Sequence, residues 1–259
     1  MRRIIIEEPY SDSALWSRRL ALFAAAVVGM GLVLARAGLD PTAVLAVIGS
    51  AIVIACLAVL CAGAATVAIW RTGRKGVGVL TIGSLLAILV LAYPTYLAVQ
   101  AIRLPVLNDV STDLDDPPAF SLSRKAMAAR KDWVPASVPA AVRQAQAKAY
   151  PDVQPILLDL DGDEAYQTVL RAVFARHWTI IEAIPPGGRL GLGHVDAVAH
   201  GLIFGFADDI AIRIRPLAGQ TRVDVRSVSR VGRHDFGANA QRIEAFTDEL
   251  KAEADADSK

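Results

Sequence analysis

Two long stretches that lack any charged residue constrain this chain more than any other feature. Residues 42–70 contain no Asp, Glu, Lys or Arg, and neither do residues 76–102. Each exceeds the roughly 20 apolar residues that cross a bilayer as a helix. Neither has a polar face, which a helix on the surface of a soluble protein would need. The sequence therefore predicts membrane-spanning helices over about 46–69 and 77–100.

A third apolar stretch, over about 20–39, predicts a further membrane span. Arg36 interrupts it near its end, where a long side chain can reach the lipid headgroups. The alternative is a signal peptide, because Ala35, Arg36 and Ala37 resemble a cleavage site after a basic, apolar leader. In both interpretations the C-terminal half of the chain lies on the outer side of the membrane.

The basic residues predict the orientation. Residues 1–103 hold nine basic and four acidic residues, whereas the rest of the chain holds 18 and 22. Seven of these nine basic residues precede the first span or lie between the second and third: Arg2, Arg3, Arg18, Arg19, Arg71, Arg74 and Lys75. By the positive-inside rule, the N-terminus is cytoplasmic and the C-terminal half is periplasmic, in a bacterial inner membrane. The lipid bilayer is thus an expected partner, while a net charge of +1 argues against nucleic acid.

The C-terminal half divides into three parts. Residues 104–160 are rich in Pro and Asp, which predicts an extended approach segment with one short helix at 140–149. Residues 161–253 show the pattern helix, four strands, helix, and short connections favour antiparallel neighbours. Residues 254–259 are predicted to be disordered. The predicted fold is three N-terminal transmembrane α-helices followed by an α+β domain, with an antiparallel sheet of about four strands and two packing helices.

The two clearest predicted strands lie at 206–217 and 221–231. In the first, every second residue from 210 to 214 is Ile, which indicates one buried face. Since the apolar faces of both strands must meet the helices, their polar faces should lie side by side. The result is a predicted ladder of charged side chains, formed by Asp209, Arg213, Arg215, Arg222, Asp224, Arg226 and Arg230.

Four motifs carry a family resemblance: LNDVSTD, Tyr150-Pro151, GFADDIAIRIRP and RVDVRSVSRVGRHDFGANAQRI. Together they resemble a bacterial family known as domain of unknown function 1499, over most of residues 105–250. The resemblance implies a domain that occurs alone or behind membrane helices, without an established activity. His194 and His200 lie outside the family pattern. The resemblance therefore supports a domain boundary and supplies no mechanism.

One interpretation of the ladder is structural. Arg213 would pair with Asp224, and Asp209 with Arg226 or Arg230, on a solvated face of the sheet. Exposed pairs contribute only about 0–1 kcal/mol each. Stability alone is therefore a weak reason for so dense an array.

The other interpretation is an anion-binding site. Arginine presents a planar fork that matches carboxylate or phosphate, and the start of the last predicted helix adds free N–H groups. The candidate ligand-binding residues form an Arg/Asp/Ser-rich set, called the signature below: Asp209, Arg213, Asp224, Arg226, Ser227, Ser229, Arg230, Arg233, Asp235, Asn239 and Arg242. This predicts an inner-membrane-anchored periplasmic binding or envelope-organising module. Its partner would be an anionic ligand or an envelope protein, and no cofactor is expected.

Two chemical alternatives use histidines. Ser227 or Ser229 with His234 and Asp235 supplies the residue types of a hydrolase triad, which makes an envelope hydrolase the alternative function. No G-x-S-x-G elbow accompanies them, so binding is favoured over catalysis.

A metal site is the second of these alternatives. His194, Asp196 and His200 share one face of a predicted strand. The two histidines would lie about 20 Å apart on a straight strand, too far for one ion. We therefore expect no metal.

Overall fold

The structure is a computed structural model that describes residues 9–187 and 191–257. The chain forms two compact units, Met1–Val99 and Gln100–Lys259. The first is called the helical unit and the second the sheet domain.

The helical unit contains the three predicted membrane spans. Helix α1 is Asp12–Arg36, α2 is Pro41–Thr72 and α3 is Val77–Arg103. All three are long and apolar enough to cross a membrane, which confirms the predicted number. Helix α2 begins earlier than predicted because Asp40 caps it, accepting a hydrogen bond from the backbone N–H of Thr42 at 2.6 Å.

Small residues bring these helices together. Ala21, Ala58 and Ala87 come from three different helices, are fully buried and form one cluster. At Gly83 a Cβ atom would lie 2.8 Å from the backbone nitrogen of Arg18, so only glycine fits this contact. Close backbone approach of this kind is how helices associate in lipid, where apolar side chains gain nothing by leaving the acyl chains.

A six-stranded antiparallel sheet forms the sheet domain. Its strands are β1 (Asp109–Ser111), β2 (Ile156–Leu158), β3 (Thr179–Ile184), β4 (Gly193–His200), β5 (Ala207–Leu217) and β6 (Gln220–Ser229). The order is β1-β6-β5-β4-β3, and β2 pairs with the first half of β6. Strands β3 to β6 are the four predicted strands. The two additional strands have three residues each, too few for an alternating pattern to predict them.

Two helices cover one face of this sheet, as predicted. Helix α6 is Gly162–Ala175 and α7 is Ala238–Asp257, and α4 and α5 lie earlier in the chain at Arg124–Ala129 and Ala140–Ala149. The isoleucines of β5 are buried in the core with Phe246, whose ring stacks on Trp178 at 5.1 Å. The apolar half of the alternating pattern thus lies on the face that was predicted for it.

The segment 104–160 differs from the extended approach predicted for it. It supplies β1, β2, α4 and α5, of which α5 matches the short helix expected at 140–149. Phe120 packs against Ala211 and Val228, and Ala126 packs against Ile181 and Val198. This segment therefore covers the second face of the sheet. Its apolar residues are scattered among prolines and aspartates without a period, so no local pattern indicates that they enter a core.

The end of the chain also differs from prediction. Disorder was expected from residue 254, but α7 continues to Asp257. Ala254 packs against the core, and this contact stabilises the last turn of the helix. Residues 258 and 259 lie outside the described part of the chain.

Candidate functional site

The predicted ladder is present on the second face of the sheet. Arg213 lies directly opposite Asp224 in the register of β5 and β6, and its Nη2 donates to Asp224 Oδ2 at 2.8 Å. Arg230 donates to both carboxylate oxygens of Asp209, at 2.7 and 2.6 Å. The first pair was predicted, and Arg230 is one of the two partners that were expected for Asp209. Both expectations followed from the period of two in the strands.

Arg226 has a partner that was not predicted. Its Nε and Nη2 donate to the two carboxylate oxygens of Asp109 in β1, at 2.9 and 2.6 Å. The guanidinium also lies 5.3 Å from the ring of Phe120, within the range of a cation–π contact. Arg226 is therefore fully engaged inside the protein.

The expectation that the ladder lies on a solvated face was wrong. Asp224 and Asp209 are 0% and 1% exposed, and Arg226 is also buried. The segment 104–160 excludes water from these charges, as the packing of Phe120 shows. Buried pairs follow a different rule from exposed ones, because removing one partner leaves an uncompensated charge at a cost of about 3–5 kcal/mol.

The ladder ends in a network of aspartates near the β5–β6 turn. Asp113 accepts from Arg222 at 2.6 Å and from Arg213 at 3.1 Å. Burial opposes ionisation of Asp113, but the backbone N–H groups of Asp115 and Asp116 and the two arginines outweigh it and lower the pKa of this carboxyl. Arg213 also contacts Asp116, so three carboxylates surround one guanidinium.

The serines of the signature lie on the opposite face of β6, against the start of α7. Ser227 Oγ donates to Asn239 Oδ1 at 2.8 Å, and Asn239 Nδ2 donates to Ser229 Oγ at 3.0 Å. Arg242 donates to Asn239 Oδ1 at 2.6 Å and pairs with Asp208. Burial raises the pKa of the Asp208 carboxyl, and the attraction of Arg242 only partly offsets this. The candidate residues thus form two clusters on opposite faces, which the sequence-based hypothesis had treated as one site.

His234 and Asp235 hold the start of α7. The Asp235 carboxylate accepts from the backbone N–H groups of Gly237 and Asn239, each at 2.9 Å. His234 Nδ1 accepts from the backbone N–H of Phe236 at 3.0 Å. Within the described part of the chain, neither side chain hydrogen bonds to the other or to a serine. Arg233 is exposed and forms no ion pair with a described residue.

A second histidine has the geometry of a positioned functional group. His194 Nε2 lies 2.8 Å from Asp196 Oδ1, and Asp196 Oδ2 accepts from Arg130 Nη1 at 2.9 Å. Asp196 and Arg130 are buried, so Arg130 holds Asp196 in place and Asp196 orients the His194 ring. With the proton on Nε2, the Nδ1 atom of a neutral ring is an acceptor. Among the described residues no three His, Cys, Asp or Glu side chains are placed to hold a metal, so His194 and Asp196 form a dyad without a third ligand.

An open groove of about 520 Å³ lies beside His194. Pro117, Ala119, Ile184 and Leu192 provide apolar walls, and Arg213 lines it together with the histidine. The groove combines apolar walls with a few polar groups, as small-molecule sites do, and it is open to solvent. Asp116 also lines a second groove of about 460 Å³, whose lining is more polar and includes Arg215 and Arg222.

Sequence reasoning missed Asp109, Arg130, Asp196 as an orienting group, and the groove. One signal was available for the first of these. The two strands place five arginines and only two aspartates on the ladder face, while residues 109–116 carry four further aspartates. Charge balance alone could have suggested that this acidic stretch lies against the ladder.

Comparison with known proteins gives a family and little else. A family model described as "Protein of unknown function (DUF1499)" matches residues 109–250. A search of curated proteins finds no match. Among solved structures, the crystal structure of TTHA0849 from Thermus thermophilus is similar, with 11% identity and a TM-score of 0.24. The alignment covers 40% of this chain and 97% of that one, and a similarity this low supports no conclusion about function.

Proposed function

We propose a binding function for this chain, which belongs to the DUF1499 family of proteins of unknown function. In this proposal the three helices anchor it in a bacterial inner membrane, with the N-terminus in the cytoplasm. The sheet domain then lies in the periplasm, where it acts as a non-catalytic binding or envelope-organising module. The distribution of basic residues supports this orientation.

The observation that carries the proposal is the groove beside His194. Asp196 and Arg130 fix the ring, so the ligand meets a histidine that is already oriented. Arg226 and Arg230 are engaged by carboxylates, so they support the fold. Arg213 is held by three carboxylates as well, but it also lines the groove, so it connects the signature to the ligand site.

The groove favours a ligand with an apolar part and one polar group. Ile184 and Leu192 offer apolar contact, and Nδ1 of neutral His194 accepts a hydrogen bond from a hydroxyl or amide. If the ring is protonated, the same atom donates to an anionic group instead. Lipid headgroups with part of an acyl chain and acylated cell-wall fragments both have this chemistry.

The test is a thermal melt of the full chain in lipid nanodiscs, with octanoate, octyl glucoside below its micelle concentration and glycerol phosphate as probes. A ligand at a hundred times its Kd stabilises by about 2.7 kcal/mol, which a melt resolves. We expect stabilisation by an amphiphilic probe that is lost in Ile184→Ser and His194→Ala. Leu217→Ser is the matched control, since Leu217 is similarly exposed but lies outside the groove.

Two results would count against this site. A shift that survives in both groove variants would mean that the probe binds elsewhere. No shift with any probe would mean that the groove does not take an amphiphile.

The His194–Asp196 dyad supports hydrolysis as the second candidate. A histidine held by a buried aspartate has the geometry of a general base, and water would then be the nucleophile. Turnover of a p-nitrophenyl ester by the full chain should then fall in His194→Gln. A binding module shows no turnover above that of His194→Gln.

A further inference from the structure

The sheet domain presents an apolar loop at one end of its sheet. Residues 201–206, with the sequence GLIFGF, connect β4 to β5. Leu202 is 92% exposed and Ile203 is 40% exposed. The rings of Phe204 and Phe206 stack at 5.5 Å. Two exposed apolar side chains beside two half-buried rings form a larger apolar surface than the single exposed apolar residues of an ordinary surface.

The loop has a defined shape. Gly201 N–H donates to Phe206 O at 2.9 Å, and Gly205 N–H donates to Gly201 O at 3.0 Å. Gly205 has a φ of +71°, which a residue with a side chain adopts only with strain. The backbone therefore holds the apolar side chains together as one tip.

The chain that leaves α3 enters the sheet at the same end. Asn108 O accepts from the backbone N–H of Ser229 at 2.8 Å, Ser229 pairs with Asp208, and Asp208 pairs with Ala199. These four residues form one row across the sheet. Residues 104–107 approach this row from beyond its end, and residues 201–206 extend beyond the same end.

The connection to the third span is short. Helix α3 ends at Arg103 and β1 begins at Asp109. The intervening residues 104–108 span at most about 18 Å when fully extended. So short a connection limits the distance between Asn108, at this end of the sheet, and the end of α3 to about 18 Å. A tether of this kind raises the effective concentration of lipid for the tip when α3 spans a bilayer.

We propose that the loop of residues 201–206 inserts into the interface of the bilayer that holds the three helices. Lipid is the proposed occupant because the short connection to α3 keeps this end of the domain within reach of the bilayer. The turn after α4 also lies at this end, since Ala129 O accepts from Arg230 Nη1 at 3.2 Å. That turn leads to Trp133, and tryptophan is enriched at the level of lipid headgroups. This inference does not depend on the groove or its ligand.

Site-specific fluorescence of the full chain tests the inference. In a Cys56→Ala/Cys61→Ala background, Leu202→Cys is labelled with an environment-sensitive nitrobenzoxadiazole dye. The protein is placed in phosphatidylcholine/phosphatidylglycerol vesicles, with and without lipid that carries a nitroxide near the headgroup. The control is Leu217→Cys, which is also an exposed leucine but lies at the opposite end of β5.

The label at position 202 should show a blue-shifted emission and lose intensity with the nitroxide lipid, while the label at 217 should keep the emission seen in water. Equal quenching at both positions, or efficient quenching of the 202 label by aqueous iodide, would overturn the proposal. Shielding at 202 that increases with protein density but not with nitroxide lipid would indicate a protein partner and would also overturn it. Unchanged melting of both labelled variants shows that the fold is retained.

Discussion

On one face of β6, Val223 and Val225 are buried by helices α6 and α7 in an apolar core. On the other face, a segment that is mostly without regular structure buries Asp224 completely and Arg226 almost completely. The first face needs only apolar side chains of suitable volume. The second needs a specific carboxylate for each guanidinium, because a buried charge without its partner is costly. The stability of the face covered by α6 and α7, called the helix face, thus depends on the shape of its side chains. The stability of the face that carries the charged ladder, called the ladder face, depends on the pairing of its charges.

The largest effect is expected at the ladder face. Asp109→Ala leaves the buried Arg226 guanidinium without its carboxylate and should destabilise the sheet domain by about 3–5 kcal/mol. Urea unfolding of the full chain in detergent, followed by tryptophan fluorescence, measures this, since Trp178 lies in the core. The double variant Asp109→Ala/Arg226→Met should recover most of the loss. If it is no more stable than Asp109→Ala, the cost does not come from an unpaired charge.

The helix face should respond to lost volume. Ile212→Ala removes fully buried methyl and methylene groups and should cost about 2–5 kcal/mol in the same unfolding measurement. Ile212→Val should cost only about 0.5–1.5 kcal/mol. Similar losses in the two variants would show that the face does not respond to volume as a packed core does.

A smaller loss of stability is expected at the hydrogen-bonded polar side chains between β6 and the start of α7. Asn239→Ala removes the acceptor of Ser227 and Arg242 and the donor to Ser229, which should cost about 1–3 kcal/mol. The exposed neighbour Ala238 provides the control, and Ala238→Ser should change the unfolding free energy very little. A near-neutral Asn239→Ala would mean that water replaces the lost hydrogen bonds.

The smallest effect is expected in the pH dependence of stability, which should have opposite signs for one carboxyl on each face. The lowered pKa of Asp113 means that its ionised form stabilises the fold above the ordinary pKa of about 3.9, and that this stability is lost as pH falls through the folded-state pKa. The raised pKa of Asp208 has the opposite sign, since its ionisation costs stability as pH rises from the ordinary to the folded-state pKa.

Urea unfolding at a series of pH values around 4 tests these signs. As pH rises, Asp113→Asn should lose stability relative to the parent protein, and Asp208→Asn should gain it. A shared direction in the two variants would contradict the assignment of the two carboxyls to different environments.

The faces of β5 and β6 could be predicted because alternation is local. Arg213 opposite Asp224 follows from the period of two and a short turn, whatever covers the sheet. The partner of Arg226 could not be predicted in the same way. Asp109 lies 117 positions earlier in the chain, in a segment without periodicity, and only the charge balance of residues 109–116 pointed to it.

The candidate site was predicted less well than the fold. The signature residues lie on β5, on β6, in the turn that follows β6 or at the start of α7, and Arg230 lies just beyond the end of β6, where a strand residue was predicted. Ser227 and Arg226 lie on opposite faces of the sheet. Adjacent strand residues always point apart, so a dense motif in a strand divides between two environments. His194 lies on another strand, β4. Its ring is oriented by Asp196, which is itself held by Arg130, and no local sequence pattern indicates that Arg130 reaches this strand.

The sequence by itself determined the three membrane spans, the α+β class of the sheet domain and the alternation of its central strands. These depend on hydropathy and period, which are properties of neighbouring residues. Only the tertiary structure decided that the ladder is buried, that residues 104–160 belong to the domain, and that a groove opens beside His194. These depend on contacts between distant segments, and burial changes the energy of a charge pair far more than the identity of its residues does.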